Sequence, residues 1–207
     1  MAKATGSRRR ASAPAAKPLK FYQRLVLNQW MLKLFGINRF EELAEDLKGP
    51  HLEGLVENNV SKFHHALKLR LFESTELPHD LLLSYDQNIV RHWKQITKRR
   101  NATEKRTLWP KYFQYLTLLF TESYLDRYFR DRETLLKDLN AHVEAFNADK
   151  PKVDQVDAFA AEDLNKLAFW NATGSGKTLL MHVNILQHRH YLEQHGLEGG
   201  LNRTILL

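Results

Sequence analysis

Two glycines separated by one residue, Gly174 and Gly176, stand between a short apolar run, Leu167-Ala168-Phe169-Trp170, and a helical pattern that begins at Lys177-Thr178. That order constrains the chain more than any other stretch. Glycines let successive backbone N–H groups converge on an anion, and a helix starting there turns its positive end toward the same point. Lys177 adds a cation and Thr178 a hydroxyl suited to Mg²⁺, so the stretch reads as a phosphate-binding loop. The spacing predicts a strand over 167–171, a helix from Gly176 to about His195, Gly196 just past its end, and a second strand over 204–207. A lone strand–helix–strand unit cannot cover both faces of a sheet, so the end at Leu207 reads as a truncation.

The 160 residues before this unit read differently. Apolar positions mark six helical segments. Phe21, Leu25, Trp30, Leu32 and Leu34 form one helix ended by Gly36, and Phe40, Leu43 and Leu47 a short one, with Asn38 as a cap and Gly49-Pro50 as its close. Val60, Phe63, Leu67 and Leu71 form a third, with Asn58, Asn59 or Ser61 as candidate caps. Pro78 opens a fourth that carries Leu82, Tyr85, Ile89, Trp93 and Ile96 and closes at Lys98-Arg99-Arg100-Asn101. Residues 108–129 are apolar on most sides, as a central buried helix is, and another helix continues from Asp131 to about Asn147. Residues 148–160 are polar and aperiodic and read as a linker. The domain reading is therefore a disordered arm over 1–17, a helical accessory domain over 18–147, the linker, and an α/β unit from 161 onward.

Charge is unevenly placed. Nine Lys/Arg (Lys3, Arg8, Arg9, Arg10, Lys17, Lys20, Arg24, Lys33 and Arg39) precede the first acid, Glu41, although the whole chain carries a net charge of only +7. A basic arm of this kind can hold phosphates by counterion release, but it also fits a solvated tail. No run approaches the roughly 18 residues of a membrane span, no apolar stretch follows the first charges as in a secretory signal, and the absence of cysteine fits a reducing cytoplasm.

The segment Ala172-Thr173-Gly174-Ser175-Gly176-Lys177-Thr178 resembles the first motif of superfamily 2 DEAD/DEAH-box helicases and translocases, in particular the Res-type helicase subunits of type III restriction enzymes. The strict loop pattern has glycine where this chain has Asn171. The resemblance implies a mainly α N-terminal region followed by the truncated start of an α/β P-loop NTPase (RecA-like) lobe. It implies ATP and Mg²⁺ as cofactors, with Thr173, Gly174, Ser175 and Gly176 around the phosphates, Lys177 as the catalytic cation on the β- and γ-phosphates, and Thr178 as the Mg²⁺ ligand. An upstream glutamine reads adenine in such proteins, and Gln114 and Gln155 are the two candidates. DNA, or RNA, would be the partner, with a modification or specificity subunit beside it. No Asp-Glu box, arginine finger or second lobe follows Thr178, so the expectation is ATP binding without the hydrolysis machinery. The alternative is a non-catalytic helical module that binds nucleic acid or protein.

Other candidates read more plainly. His64, His65, His182, His188, His190 and His195 lack the spacing of a zinc site. The rings between Tyr112 and Phe129 read as core, and Lys98-Arg99-Arg100 with Lys105-Arg106 as a solvated run with some capacity for DNA phosphates.

Overall fold

The computed structural model describes residues 18–71 and 77–200. The expected disorder of 1–17 and the expected strand at 204–207 lie outside these residues. Among the described residues there are seven α-helices and no β-strand; an isolated antiparallel bridge joins Leu55 and Ser61.

A turn of 3₁₀ helix, Phe21–Arg24, leads into α1 (Val26–Leu34), which stops at Gly36 with a φ of 65°. Helix α2 (Phe40–Leu47) begins one residue beyond the expected cap, since Arg39 occupies the N-cap and makes no side-chain capping bond there. Helix α3 (Lys62–Arg70) is capped by Ser61, whose hydroxyl accepts the His64 N–H at 2.9 Å. The other two candidate caps, Asn58 and Asn59, instead take left-handed backbone in the preceding turn, which asparagine tolerates.

Pro78 precedes α4 (His79–Glu104), which runs past the expected stop at Asn101. Glu104 draws Arg100, one turn earlier, to 2.5 Å and Arg106 to 2.7 Å, and Lys105 ends the helix in left-handed backbone. Asn101 then closes the connection by accepting the Leu108 N–H at 2.9 Å, while Trp93 Nε1 donates to the Leu108 carbonyl at 2.9 Å. Asp131 ends α5 (Tyr112–Arg130) and caps α6 (Arg132–Asn147) by accepting the Thr134 N–H at 3.0 Å.

Helix α5 is the centre of the bundle. Tyr115, Leu118 and Leu119 are wholly buried, with α4, α6 and α7 (Lys177–Gln194) packed around them. Each such side chain removed from water contributes about 1.5–3 kcal/mol. One continuous core runs from Trp30 in α1 through Phe35, Phe63, Ile89 and Tyr115 to Leu180 and Val183 in α7. Helix α7 ends as the sequence predicts: Gly196, at a φ of 64°, donates to Glu193 and Leu197 donates to Leu192, satisfying two terminal carbonyls.

The α/β expectation is overturned. Residues 167–171 form no strand, and Phe169 and Trp170 are exposed. No second strand lies beside them among the described residues, and an unpaired strand leaves its backbone groups without a ladder. Helix α7 covers other helices instead of a sheet: Leu180, Val183, Gln187 and Tyr191 repeat at helical spacing and are buried against α4 and α5. Helices are thus the principal elements of the described residues, without the start of a RecA-like lobe.

Residues 148–160 are held rather than free-standing. Two asparagines seven residues apart on α6, Asn140 and Asn147, each present a side-chain amide to one residue of the segment. Asn147 exchanges bonds with Val156 (2.8 and 3.0 Å), and Asn140 with Phe159 (3.0 and 2.7 Å). Asp154, buried in the same segment, accepts the Leu19 N–H at 2.9 Å.

Candidate functional site

The glycine loop closes before the helix begins. The Ser175 N–H reaches back to the Ala172 carbonyl at 3.2 Å, and Gly174 and Gly176 adopt φ values of 79° and 84°. Side chains rarely enter that backbone region, so both positions favour glycine. Gly176 is the N-cap of α7, and its carbonyl accepts the Leu180 N–H at 3.0 Å as the first helical bond. The N–H groups of the first turn have no partner within the helix, and they carry the positive end of its dipole.

Gln114 fixes the loop from the side. Its Oε1 accepts the Lys111 N–H at 2.8 Å at the start of α5, and its Nε2 donates to the Ser175 carbonyl at 2.8 Å. A β-carbon on Gly176 would lie 2.6 Å from that Nε2, so a side chain there would displace the Gln114 amide from the loop besides straining the backbone. Around Gly174 nothing lies within 4 Å of the equivalent position, and the loop is open on that side.

Lys177 folds back over the loop. Its Nζ donates to the carbonyls of Asn171 at 3.2 Å and Ala172 at 3.3 Å. Asn171, the departure from the strict pattern, therefore takes part through its main chain, which any residue supplies. Thr173, Gly174, Lys177 and Thr178 are exposed, while Ser175 and Gly176 are half-buried. The predicted phosphate-loop residues thus share one surface, with Gln114 beneath them. Gln155 is tied elsewhere, donating from Nε2 to the Lys150 carbonyl at 2.9 Å in the segment clamped to α6.

Beneath the loop helix lies a polar centre that the sequence reading missed. Glu122 of α5 is wholly buried and receives Asn88 Nδ2 of α4 at 2.6 Å, Gln187 Nε2 of α7 at 2.7 Å and the Tyr191 hydroxyl of α7 at 2.8 Å. Burial pushes its carboxyl up to about 7, while the hydrogen bonds from Asn88, Tyr191 and Gln187 pull the other way. The same burial, with Glu122 close by, pushes the Tyr191 hydroxyl far up, so it stays protonated and donates. Gln187 also donates to the Leu118 carbonyl at 3.0 Å, which makes one side chain bridge main chain and carboxylate. A polar residue on the otherwise apolar stripe of α7 is the sequence signal for this centre.

No known protein family, curated protein or solved structure matches this chain.

The remaining candidates fall into place around the bundle. Among the described residues no three His, Asp or Glu side chains are grouped to hold a metal ion. His92 and His190 meet edge to face with ring centres 6.0 Å apart, and Arg91 donates to His190 Nδ1 at 3.0 Å. Burial, then the Arg91 charge, pushes His92 down to about 4. Tyr115, Tyr124 and Tyr128 are buried as core, as the sequence predicts. Lys98, Arg99 and Arg100 are exposed at the far end of α4. No helix among the described residues is long and apolar enough to cross a membrane.

Proposed function

We propose that the chain is part of an ATP-dependent DNA helicase or translocase, similar to the superfamily 2 DEAD/DEAH-box proteins and the Res-type subunits of type III restriction enzymes, acting in the cytoplasm within a restriction or defence system. One observation carries the reading. Two glycines in left-handed backbone lead directly into the N-terminus of the 18-residue α7, with Lys177 and Thr178 exposed at its first two positions. An anion entering from the open side of Gly174 would meet the first-turn amides and the Lys177 ammonium together.

The loop residues fit a nucleotide phosphate. Thr173, Gly174, Ser175 and Gly176 would surround it, Lys177 would exchange its two neutral carbonyl partners for phosphate oxygens, and Thr178 would offer its hydroxyl to the accompanying Mg²⁺. A phosphate oxygen adds the attraction of opposite charges that a neutral carbonyl lacks, so the exchange favours the bound state. ATP supplies the phosphoanhydride whose cleavage drives movement in such proteins. Gln114 would hold the loop in the receiving shape. Calorimetry of ATP with Mg²⁺ against wild type and Lys177→Ala tests this: saturable heat in the first and little in the second is expected, and equal heats would remove Lys177 from the site.

A second reading, a non-catalytic helical module that binds nucleic acid or protein, is favoured by the way α7 packs. Its buried face packs mainly on α4 and α5 and includes the Gln187 and Tyr191 bonds to Glu122, so α7 has a structural purpose without any nucleotide. Absence of ATP heat together with retained DNA binding would select this reading.

A further inference from the structure

Between Asp86 and Glu122, both wholly buried, the sequence carries eight Lys/Arg and one acid, Glu104, a surplus equal to the net charge of the whole chain. Arg100 and Arg106 share Glu104, and Lys111 pairs with Glu53 at 2.8 Å. The other five, Arg91, Lys94, Lys98, Arg99 and Lys105, are exposed and form no ion pair among the described residues. Arg91 and Lys94 have neutral partners: Arg91 donates to Asn88 and His190, and Lys94 donates to Asn59 Oδ1 at 2.7 Å. Arg91, Lys94 and Lys98 follow one another at three and four residues and so share one face of α4, with Lys105 at its end. The row is about 20 Å long.

A helix C-terminus favours cations, but that effect fades within the last turn, and Lys94 stands nearly three turns before Glu104. Like charges at three- and four-residue spacing weaken a helix. Two exposed acids flank the row without neutralising it: Glu57, on the turn that offers Asn59, and Glu193, which stands 4.0 Å from Arg189 next to His190. No large apolar side chain of α4 is exposed, so this face lacks the anchors of a protein interface and the rings on which unpaired bases stack. It offers cations alone, on a rigid helix, and the phosphates of duplex DNA take such a row by counterion release.

We infer that the C-terminal half of α4 is a docking surface for the phosphate backbone of duplex DNA, with Arg91, Lys94, Lys98, Arg99 and Lys105 as its contacts. The inference rests on the reading that the chain works on DNA, but it does not require the glycine loop to bind nucleotide. The surface runs toward the end of the bundle that carries that loop. Trp93 and Asn101 hold Leu108 beside α4, α5 begins four residues later, and Gln114 in its first turn reaches Ser175.

The test is fluorescence anisotropy of the full chain with two labelled duplexes of unrelated sequence, about 20 base pairs each, between about 50 and 200 mM salt. Wild type is expected to bind both alike, because phosphates carry no sequence. Lys94→Gln/Lys98→Gln/Lys105→Gln should lower the slope of log affinity against log salt by about 2–3 for both duplexes. Lys98→Gln alone, which removes a side chain without a partner in the fold, should lower it by about 1. Lys33→Gln/Lys137→Gln/Lys152→Gln removes the same charge from exposed positions on α1, α6 and the clamped segment, and should keep the wild-type slope. A wild-type slope in the α4 variants, or an equal fall in both triples, would overturn the surface and leave DNA binding itself in place. Polyglutamate bound as tightly as the duplex would also overturn it, in favour of an acidic protein partner. A wild type that binds no duplex would overturn the surface and the DNA reading together, whereas failure of the Lys177→Ala calorimetry would touch neither.

Discussion

The side-chain amide of Gln114 reaches from the first turn of α5 to the main-chain carbonyl of Ser175, 2.8 Å away, and so ties the centre of the bundle to the glycine loop. Gln114→Ala removes that bond and the one Gln114 makes to the Lys111 N–H. A loss of about 1–2 kcal/mol in urea unfolding is expected, along with weaker nucleotide heat by calorimetry. An unchanged ATP affinity would mean that the loop holds its shape unaided.

The two loop glycines are expected to behave differently in combination with that variant. Gly174→Ala meets only the backbone penalty, about 1–2 kcal/mol, and its effect should add to that of Gln114→Ala. Gly176→Ala also drives its new methyl into Gln114 Nε2 and breaks the same bond. The double variant Gly176→Ala/Gln114→Ala should therefore be less destabilised than the sum of its singles, and additivity in both pairs would show that the contact contributes nothing.

Glu122 gives stability a pH dependence of unusual sign for a carboxylate. Its folded pKa, about 7, lies above the ordinary 4.5, so the fold binds this proton more tightly than the unfolded chain does. Its contribution is fully present below pH 4.5, declines as pH rises, and is gone above about 7, a span worth roughly 3 kcal/mol. His92, pushed down to about 4, acts oppositely between pH 4 and 6.5, so wild type alone mixes the two. The difference between wild type and Glu122→Gln isolates the carboxyl. Between pH 4.5 and 7 the denaturant midpoint of the variant should gain steadily on that of wild type, because the rise from His92 is no longer offset by the Glu122 decline, and parallel profiles would contradict the assignment.

The asparagine clamp predicts a local opening. Asn147→Ala loses two bonds to Val156, about 1–2 kcal/mol, and should expose Lys152 to trypsin well before the helices are cut. Asn140→Ala should loosen the Phe159 end of the segment in the same way, and resistance equal to wild type in both would deny the clamp its role.

The helices were legible because their signals are local. Asp131, Ser61, Pro78 and Gly196 mark ends by chemistry within one turn, and the apolar spacing of α4 and α5 names the buried faces. Strand formation is not local. Leu167-Ala168-Phe169-Trp170 has a strand's composition, yet a strand exists only with a partner to pair, and the described residues supply none. Glu122 was hidden for a related reason: an acid within a helix reads as a solvent-facing position, and only the three-dimensional meeting of α4, α5 and α7 buries it. The glycine loop was read correctly as a turn opening a helix, whereas the tie from Gln114, 61 residues away, has no signature in spacing.

The central claim is that the loop from Asn171 to Thr178 receives nucleotide phosphates. The most direct measurement is the set of backbone amide resonances of Gly174, Ser175, Gly176, Lys177 and Thr178 in the ¹⁵N-labelled full chain, followed as ATP and Mg²⁺ are added. Saturable shifts concentrated in these five amides, abolished by Lys177→Ala, are the predicted result. Amides that stay in place while the rest of the spectrum shows a folded chain would contradict it.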